Sequence, residues 1–172
     1  MAWNRVAFVK PMVSLRPLDE SNRGAAVALR VAPGQERFVS RVADSLAEAA
    51  EHPGAHAVQR LIYDGDTPVG FVMWADEVDG PDYLPQYLWK LMIDARHQRR
   101  GYGTAALNLV VEQFRGREVI TTSAGQGEGS PIPFYERYGF VRTGEVHDGE
   151  VVLQLRRREE NPENAGSPSG RS

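Results

Sequence analysis

The chain has 172 residues, which at roughly 150 residues per domain predicts one domain with a substantial buried core. Hydrophobic residues at 41% and charged residues at 25% are ordinary for a globular protein and exclude a wholly disordered chain, a collagen-like repeat or a coiled coil. A net charge of −3 argues against a nucleic-acid binder that works by bulk charge, and zero cysteines exclude disulfides, thiolate metal sites and a cysteine nucleophile.

The histidines His52, His56, His97 and His147 form no close metal-ligand pair. His52 and His56 have helical spacing, but Pro53-Gly54 between them breaks the helix that would align them, so they read as solvated loop residues and no metal is expected. The N-terminus has no long apolar run, and no stretch of about 18 apolar residues occurs anywhere. The expectation is a cytoplasmic protein with neither a membrane nor a nucleic-acid partner.

Val13–Pro17 reads as a short strand, and Leu18-Asp19 begins a turn. Ser21–Val31 reads as a helix. Pro33–Glu51 predicts a longer one: Phe38, Val42, Leu46 and Ala49 recur at helical spacing, Arg37, Arg41, Asp44 and Glu48 face away, and Pro53-Gly54 ends it. Ala57–Tyr63 and Val69–Asp76 flank the turn signal Asp64-Gly65-Asp66 and predict a hairpin. Asp79-Gly80-Pro81 is a further turn, followed by a strand at Tyr87–Ile93. Thr104–Phe114 predicts a helix with Leu107, Val110, Val111 and Phe114 on one stripe. Val119–Thr122 reads as a strand and Pro131–Tyr138 as a short helix whose proline sits where a missing N–H costs little. Phe140–Gly144 and Glu150–Leu155 close the domain as a hairpin around His147-Asp148-Gly149.

This order, without internal repeats, predicts one mixed α/β (α+β) domain over residues 13–155, with a central sheet covered by helices. Residues 1–12 form an N-terminal extension whose Trp3, Val6, Phe8 and Val9 suit either an edge strand or a dimer contact. Residues 156–172 run through Asn, Pro, Gly and Ser and have the composition of a disordered tail.

The strongest local feature is Gln98-Arg99-Arg100-Gly101-Tyr102-Gly103-Thr104, placed between a strand and an amphipathic helix. Two glycines allow a sharp turn and a close backbone approach. The first N–H groups of the helix lack intrahelical partners and carry the positive end of its dipole, an arrangement that binds phosphate. Arg99 and Arg100 add positive charge. The bland reading is a tight strand-to-helix turn. The loop lacks the Gly-Lys-Ser/Thr ending of a P-loop, and chain order excludes a dinucleotide-binding fingerprint.

The run Leu91-Met92-Ile93-Asp94 followed by Gln98-Arg99-Arg100-Gly101-Tyr102-Gly103 resembles the acetyl-coenzyme A signature of the GNAT N-acetyltransferase superfamily. Downstream, Phe134-Tyr135-Glu136-Arg137-Tyr138-Gly139-Phe140 resembles a second block of that family, in the right order and at the right separation. The resemblance spans nearly the whole predicted domain and implies a mostly antiparallel twisted sheet flanked by helices. Ser45–Ala49, Pro68–Met73 and Trp89–Asp94 further resemble the bacterial spermine/spermidine acetyltransferases, a less specific match.

What the resemblance implies is direct acetyl transfer from acetyl-CoA to a primary amine of a small molecule, with a polyamine as the preferred acceptor and an aminoglycoside or protein amine as others. A non-catalytic acyl-CoA-binding module is the alternative from another class. By the resemblance, the main-chain N–H groups of Arg99, Arg100, Gly101, Tyr102, Gly103 and Thr104, with Gln98, hold the pyrophosphate. Leu91, Met92 and Ile93 would pair with the pantetheine arm as an added strand does, and an N–H near Ile93 would polarise the thioester carbonyl. Tyr135 would protonate the leaving thiolate; the competing reading is a core aromatic. A homodimer is implied by analogy alone.

Two departures from the family stand out. The strand Tyr87–Ile93 offers Tyr87, Trp89 and Lys90 but no carboxylate to act as base. Glu128 stands where the family often has a cofactor-contacting Asn, with Ser130 as the substitute. Asp76, Glu77, Asp79 and Asp82 form an acidic loop that reads either as solvated surface or as a grip on ammonium groups, with Glu77 the first choice. Trp89 suits a cation–π contact with the amine or core packing.

Overall fold

The computed structural model describes residues 11–157. The expectations for the N-terminal extension before Pro11 and for the tail beyond Arg157 lie outside the described residues. Among the described residues, seven strands form one sheet in the order β1-β2-β3-β4-β5-β7-β6. They are β1 (Val13–Pro17), β2 (Val58–Asp64), β3 (Thr67–Ala75), β4 (Tyr87–Ile93), β5 (Val119–Gly125), β6 (Val141–His147) and β7 (Glu150–Arg156). Every neighbouring pair is antiparallel except β4 and β5. The helices are α1 (Arg23–Ala28), α2 (Val42–Glu51), α3 (Tyr102–Gln113) and α4 (Ile132–Tyr138). This is the mixed α/β sheet the element order predicts.

Side-chain alternation sends each strand's residues to two cores. Val72 and Trp74 of β3 join Leu107, Val110 and Phe114 of α3 on one face. Phe71 and Met73 join Ala26 of α1 and Leu46 of α2 on the other. Because β3 is covered on both faces, its sequence reads as a continuous apolar run instead of an alternating one. The β6–β7 turn has Asp148 and Gly149 both at positive φ, the geometry of a tight two-residue hairpin.

The helix predicted over 33–51 begins only at Val42. Gly34 sits at φ +86°, in the left-handed region, and this breaks the helix that the periodicity suggests. Phe38 therefore leaves the α2 stripe. Its ring lies instead over the glycine-rich segment after β5, where a Cβ added to Gly125 would come within 3.3 Å of it. The first predicted helix also shortens, because Leu29 is already extended at ψ 139°. Two strands lengthen: β5 continues to Gly125, and β6 to His147 past an irregularity in its pairing between Arg142 and Val146. β7 runs on to Arg156, and the Arg157 N–H donates to the Glu118 carbonyl at 2.9 Å.

Gly70 of β3 pairs with Ile93 at the end of β4. A Cβ there would stand 2.4 Å from the Met92 carbonyl oxygen, a backbone atom that cannot swing aside. Gly70→Ala is therefore expected to destabilise the domain by about 1–3 kcal/mol, the range for overpacking. Urea unfolding monitored by circular dichroism checks this, and a midpoint equal to wild type would show that β4 yields without cost.

Candidate active site

β4 and β5 share only two registered pairs, Tyr87 with Thr121 and Leu88 with Thr122. Beyond them the two strands diverge, and a cavity of about 920 Å³ opens there. Its walls include Leu91, Met92 and Ile93 of β4, Ser123 of β5, Ser130, and Phe134 and Tyr135 of α4. The volume falls within the usual range for small-molecule pockets. Among the described residues, no strand pairs with the gap-facing edge of β4 beyond Leu88.

The glycine loop closes one end. Gln98, Arg99, Gly101, Tyr102, Gly103 and Thr104 all line the cavity, while Arg100 is exposed and outside it. Gly101 is at φ +84° and Arg99 at φ +60°, so the chain turns sharply into α3, which begins at Tyr102 and not at the predicted Thr104. The N–H groups at the start of α3 have no intrahelical acceptors; the first to bond back is Ala105, to the Gly101 carbonyl at 3.0 Å. A Cβ on Gly103 would contact the Phe134 ring at 3.4 Å, so glycine keeps this floor open. These orphaned donors, the positive helix end and Arg99 suit an anionic diphosphate.

Two of the loop side chains serve the scaffold. The Gln98 side-chain amide donates to the Ile93 carbonyl at 2.9 Å and to Gln35 at 2.7 Å. It thereby fixes the end of β4 to the segment before α2. The Tyr102 hydroxyl donates to Asp64 at 2.5 Å, and this bond, with burial second, raises its pKa.

Tyr135 lines the cavity at the point of divergence. Burial pushes its phenol well above the ordinary range, and the neighbouring Thr122 hydroxyl pulls weakly the other way. Thr122 in turn donates to the Leu88 carbonyl at 2.9 Å, which ties β4 to β5 where they part. The Tyr87 hydroxyl shares a 2.7 Å hydrogen bond with Ser123, and the Ser123 hydroxyl donates to Glu150. Burial raises the Tyr87 phenol too.

Carboxylates and aromatic rings also line the cavity. Glu48, Asp82 and Glu150 line it, together with Tyr83 and Trp89. The Trp89 indole N–H donates to Glu48 at 3.0 Å, and Lys90 pairs with the same carboxylate at 3.1 Å. Glu77 is exposed and outside the lining; from its loop it is Asp82 that reaches the cavity. Glu128 is exposed and also outside the lining, its main-chain carbonyl accepting from Arg37. Ser130 accepts from the Ile132 N–H at 3.2 Å and donates to the Gly125 carbonyl at 2.6 Å, so it opens α4. Glu48 and Glu150 carry no local sequence signal. Each reaches the site only through packing across the sheet or strand pairing.

Asp94 follows β4 directly and is 2% exposed. It accepts from the Arg96 side chain at 2.7 Å and from the Arg30 N–H at 3.0 Å. Burial favours its neutral form, but these donors outweigh it and hold its pKa at about 2. Among the described residues no cluster of metal-ligand side chains occurs, and no helix is long and apolar enough to cross a membrane.

The family model for the acetyltransferase (GNAT) family matches residues 26–140. An acetyltransferase from Thermus thermophilus is 18% identical, with 84% of this chain and 97% of that one covered and a TM-score of 0.60. A Bacillus subtilis acetyltransferase solved in complex with CoA is 14% identical over 87% of this chain and 100% of that one, with a TM-score of 0.59. An aminoglycoside acetyltransferase solved with coenzyme A is 18% identical over 84% of this chain and 95% of that one, with a TM-score of 0.63. At these identities the likeness shows the fold alone. Among curated protein sequences none matches.

Asp94 carries a depressed pKa, so its contribution is present above the unfolded value of about 3.9 and is lost as pH falls through about 2. Asp94→Asn is expected to be less stable than wild type by about 2 kcal/mol at neutral pH. That difference should shrink toward zero as the pH approaches about 2. Paired urea titrations across this range check it; a pH-independent difference would assign the loss to packing.

Proposed function

The chain belongs to the acetyltransferase (GNAT) family, and from that premise we propose that it transfers the acetyl group of acetyl-CoA to a primary amine of a small cationic molecule, a polyamine first among them. Acetyl-CoA dependence and N-acetyl transfer belong to the family. The acceptor and the residue roles are inferred from the chemistry of the cavity.

The observation that carries the acceptor class is the group of carboxylates and aromatic rings in the cavity lining. Besides the helix N–H groups and Arg99, the lining includes Glu48, Asp82, Asp148 and Glu150 with Tyr83 and Trp89. The helix N-terminus suits an anionic cofactor, and the carboxylates suit a cationic acceptor. Several carboxylates in one cavity suit an acceptor with more than one ammonium group. Aromatic faces add about 0.5–2 kcal/mol of cation–π attraction each.

The cofactor's contribution is a thioester whose acetyl carbon accepts a nucleophile. The chain's part is to bind and orient it. The N–H groups of Arg99 through Thr104 take the pyrophosphate, and the open edge of β4 at Leu91, Met92 and Ile93 takes the amide-bearing arm. Such added-strand pairing uses main-chain hydrogen bonds and fixes register. Tyr135 stands where β4 and β5 part and donates its proton to the departing sulfur. A phenol held neutral by burial is always loaded as a donor at working pH. A homodimer is part of the same proposal and rests on family analogy.

The first expected outcome concerns substrate. Thioester consumption with spermine, spermidine, an aminoglycoside and a peptide N-terminus should be fastest with the polyamines. Turnover confined to the peptide would overturn the acceptor reading. The second concerns Tyr135. Tyr135→Phe should lower kcat by about 10²-fold or more, the typical worth of a general acid, with the dissociation constant for CoA nearly unchanged. Equal losses in both would make Tyr135 a structural residue.

A further inference from the structure

The proposed transfer to a cationic amine, on which this inference rests, needs a proton acceptor. An amine with a pKa of about 10.4 is an ammonium at neutral pH and has no lone pair to attack with. β4 runs Tyr-Leu-Trp-Lys-Leu-Met-Ile and offers no carboxylate. We infer that the general base is Glu150, the first residue of β7, held in the cavity wall by Ser123 of β5.

Four carboxylates line the cavity, and three of them are poorly suited to this task. Glu48 is tied up by Trp89 and Lys90. Asp82 and Asp148 stand on exposed loops, where water screens them. Glu150 is half-buried and pairs with Gly125 at the far end of β5, beyond the point where β5 has left β4. Its Oε2 accepts from the Ser123 hydroxyl. Its Oε1 has no partner among the described residues. One oxygen is clasped and the other is available, as a base aimed at a ligand requires.

The same Ser123 hydroxyl shares its 2.7 Å bond with Tyr87 of β4. The clasp therefore spans the divergence and holds Glu150 against both walls. Tyr135 from α4 lies close enough for the Glu150 charge to raise its pKa, as does Tyr87 from β4. Other titratable or charged groups of the lining include Glu48, Lys90, Arg137, His147 and Asp148, His147 being the residue that pairs with Glu150 in the β6–β7 ladder.

The ammonium gives one proton to Glu150 Oε1 and becomes a neutral amine. Its nitrogen lone pair forms the C–N bond to the acetyl carbon, and the C–S bond breaks with its electrons going to sulfur. The Tyr135 hydroxyl protonates the sulfur. The second nitrogen proton restores the phenol, and Glu150 releases its proton to water. The products are the N-acetyl amine, free thiol and one proton.

The test is the pH dependence of wild type, Glu150→Gln and Ser123→Ala, from about pH 6 to about pH 10, using the best polyamine acceptor. Glu150→Gln should lose about 10²-fold or more in kcat/KM for the amine at neutral pH. It should keep the wild-type CoA dissociation constant and melting temperature. Its rate should recover as pH nears the amine's own pKa, because water then supplies the free amine. Ser123→Ala should lose less, about tenfold, in kcat with the CoA dissociation constant unchanged, since it removes a positioning contact and leaves the base. A Glu150→Gln rate within about threefold of wild type at neutral pH would overturn the inference, as would a loss that does not shrink with rising pH. A wild type that turns over no polyamine while binding CoA would overturn the acceptor reading, and the inference with it. An active wild type with an indifferent Glu150→Gln overturns the inference alone.

Discussion

β4 and β5 are parallel neighbours in mid-sheet and pair in register only at Tyr87–Thr121 and Leu88–Thr122. Main-chain N–H and C=O groups are obligatory hydrogen-bonding groups, so a sheet that opens in its middle exposes donors and acceptors that must find partners. Here the opening faces a cavity, where solvent or a ligand's amides can serve. The other edge of β4 is fixed. It pairs with β3 from Tyr87 to Ile93, and Gly70 lets the Met92 carbonyl approach where any larger residue would push it away. Gln98 and Asp94 then pin the far end of the strand. One edge is locked and the other left available, so a ligand pairing there meets a strand already held in place.

The divergence also explains where the polar side chains gather. Thr122 spans it at the apex by bonding the Leu88 carbonyl, and the Tyr87–Ser123–Glu150 chain spans it one step further out. Side chains that would otherwise be buried between paired strands become the lining of a cavity. The net charge of −3 says nothing of this, because it sums groups over the whole chain. Arg99 and the α3 N-terminus line the same cavity as Glu48, Asp82, Asp148 and Glu150.

The parts of this arrangement legible in the sequence are the local ones. The glycine loop, the start of α3 and the α4 block are contiguous segments whose residue types state their own geometry. β3 and β4 are apolar runs bounded by turns. What stays hidden depends on partners distant in the chain. Gln98 reads as a cofactor residue, yet its amide holds Gln35, 63 positions away. Glu150 meets Ser123 27 positions away, and only the antiparallel pairing of β5 with β7 brings them together. Spacing alone places Phe38 on the α2 stripe, but Gly34 ends that periodicity and the ring lies across on the glycine segment after β5. Glu77 and Asp82 share an acidic loop, and no composition argument tells which of them turns inward.

In the proposed transfer, the raised pKa of Tyr135 constrains how its proton can move. A phenol pushed above its usual value by burial is a weaker acid than an ordinary one, while a thiol has a pKa of about 8.5. Stepwise donation to a finished thiolate would leave a phenolate in a site that burial makes hostile to it. The cost falls if the phenol oxygen gains a proton as it gives one up. The nitrogen supplies that proton once the C–N bond has formed. It cannot supply the earlier one, which the ammonium must shed before any bond forms. The two protons therefore need two receivers of different character, a buried phenol that stays neutral and a carboxylate that starts charged. The proposal gives those two parts to Tyr135 and Glu150, which line the same cavity.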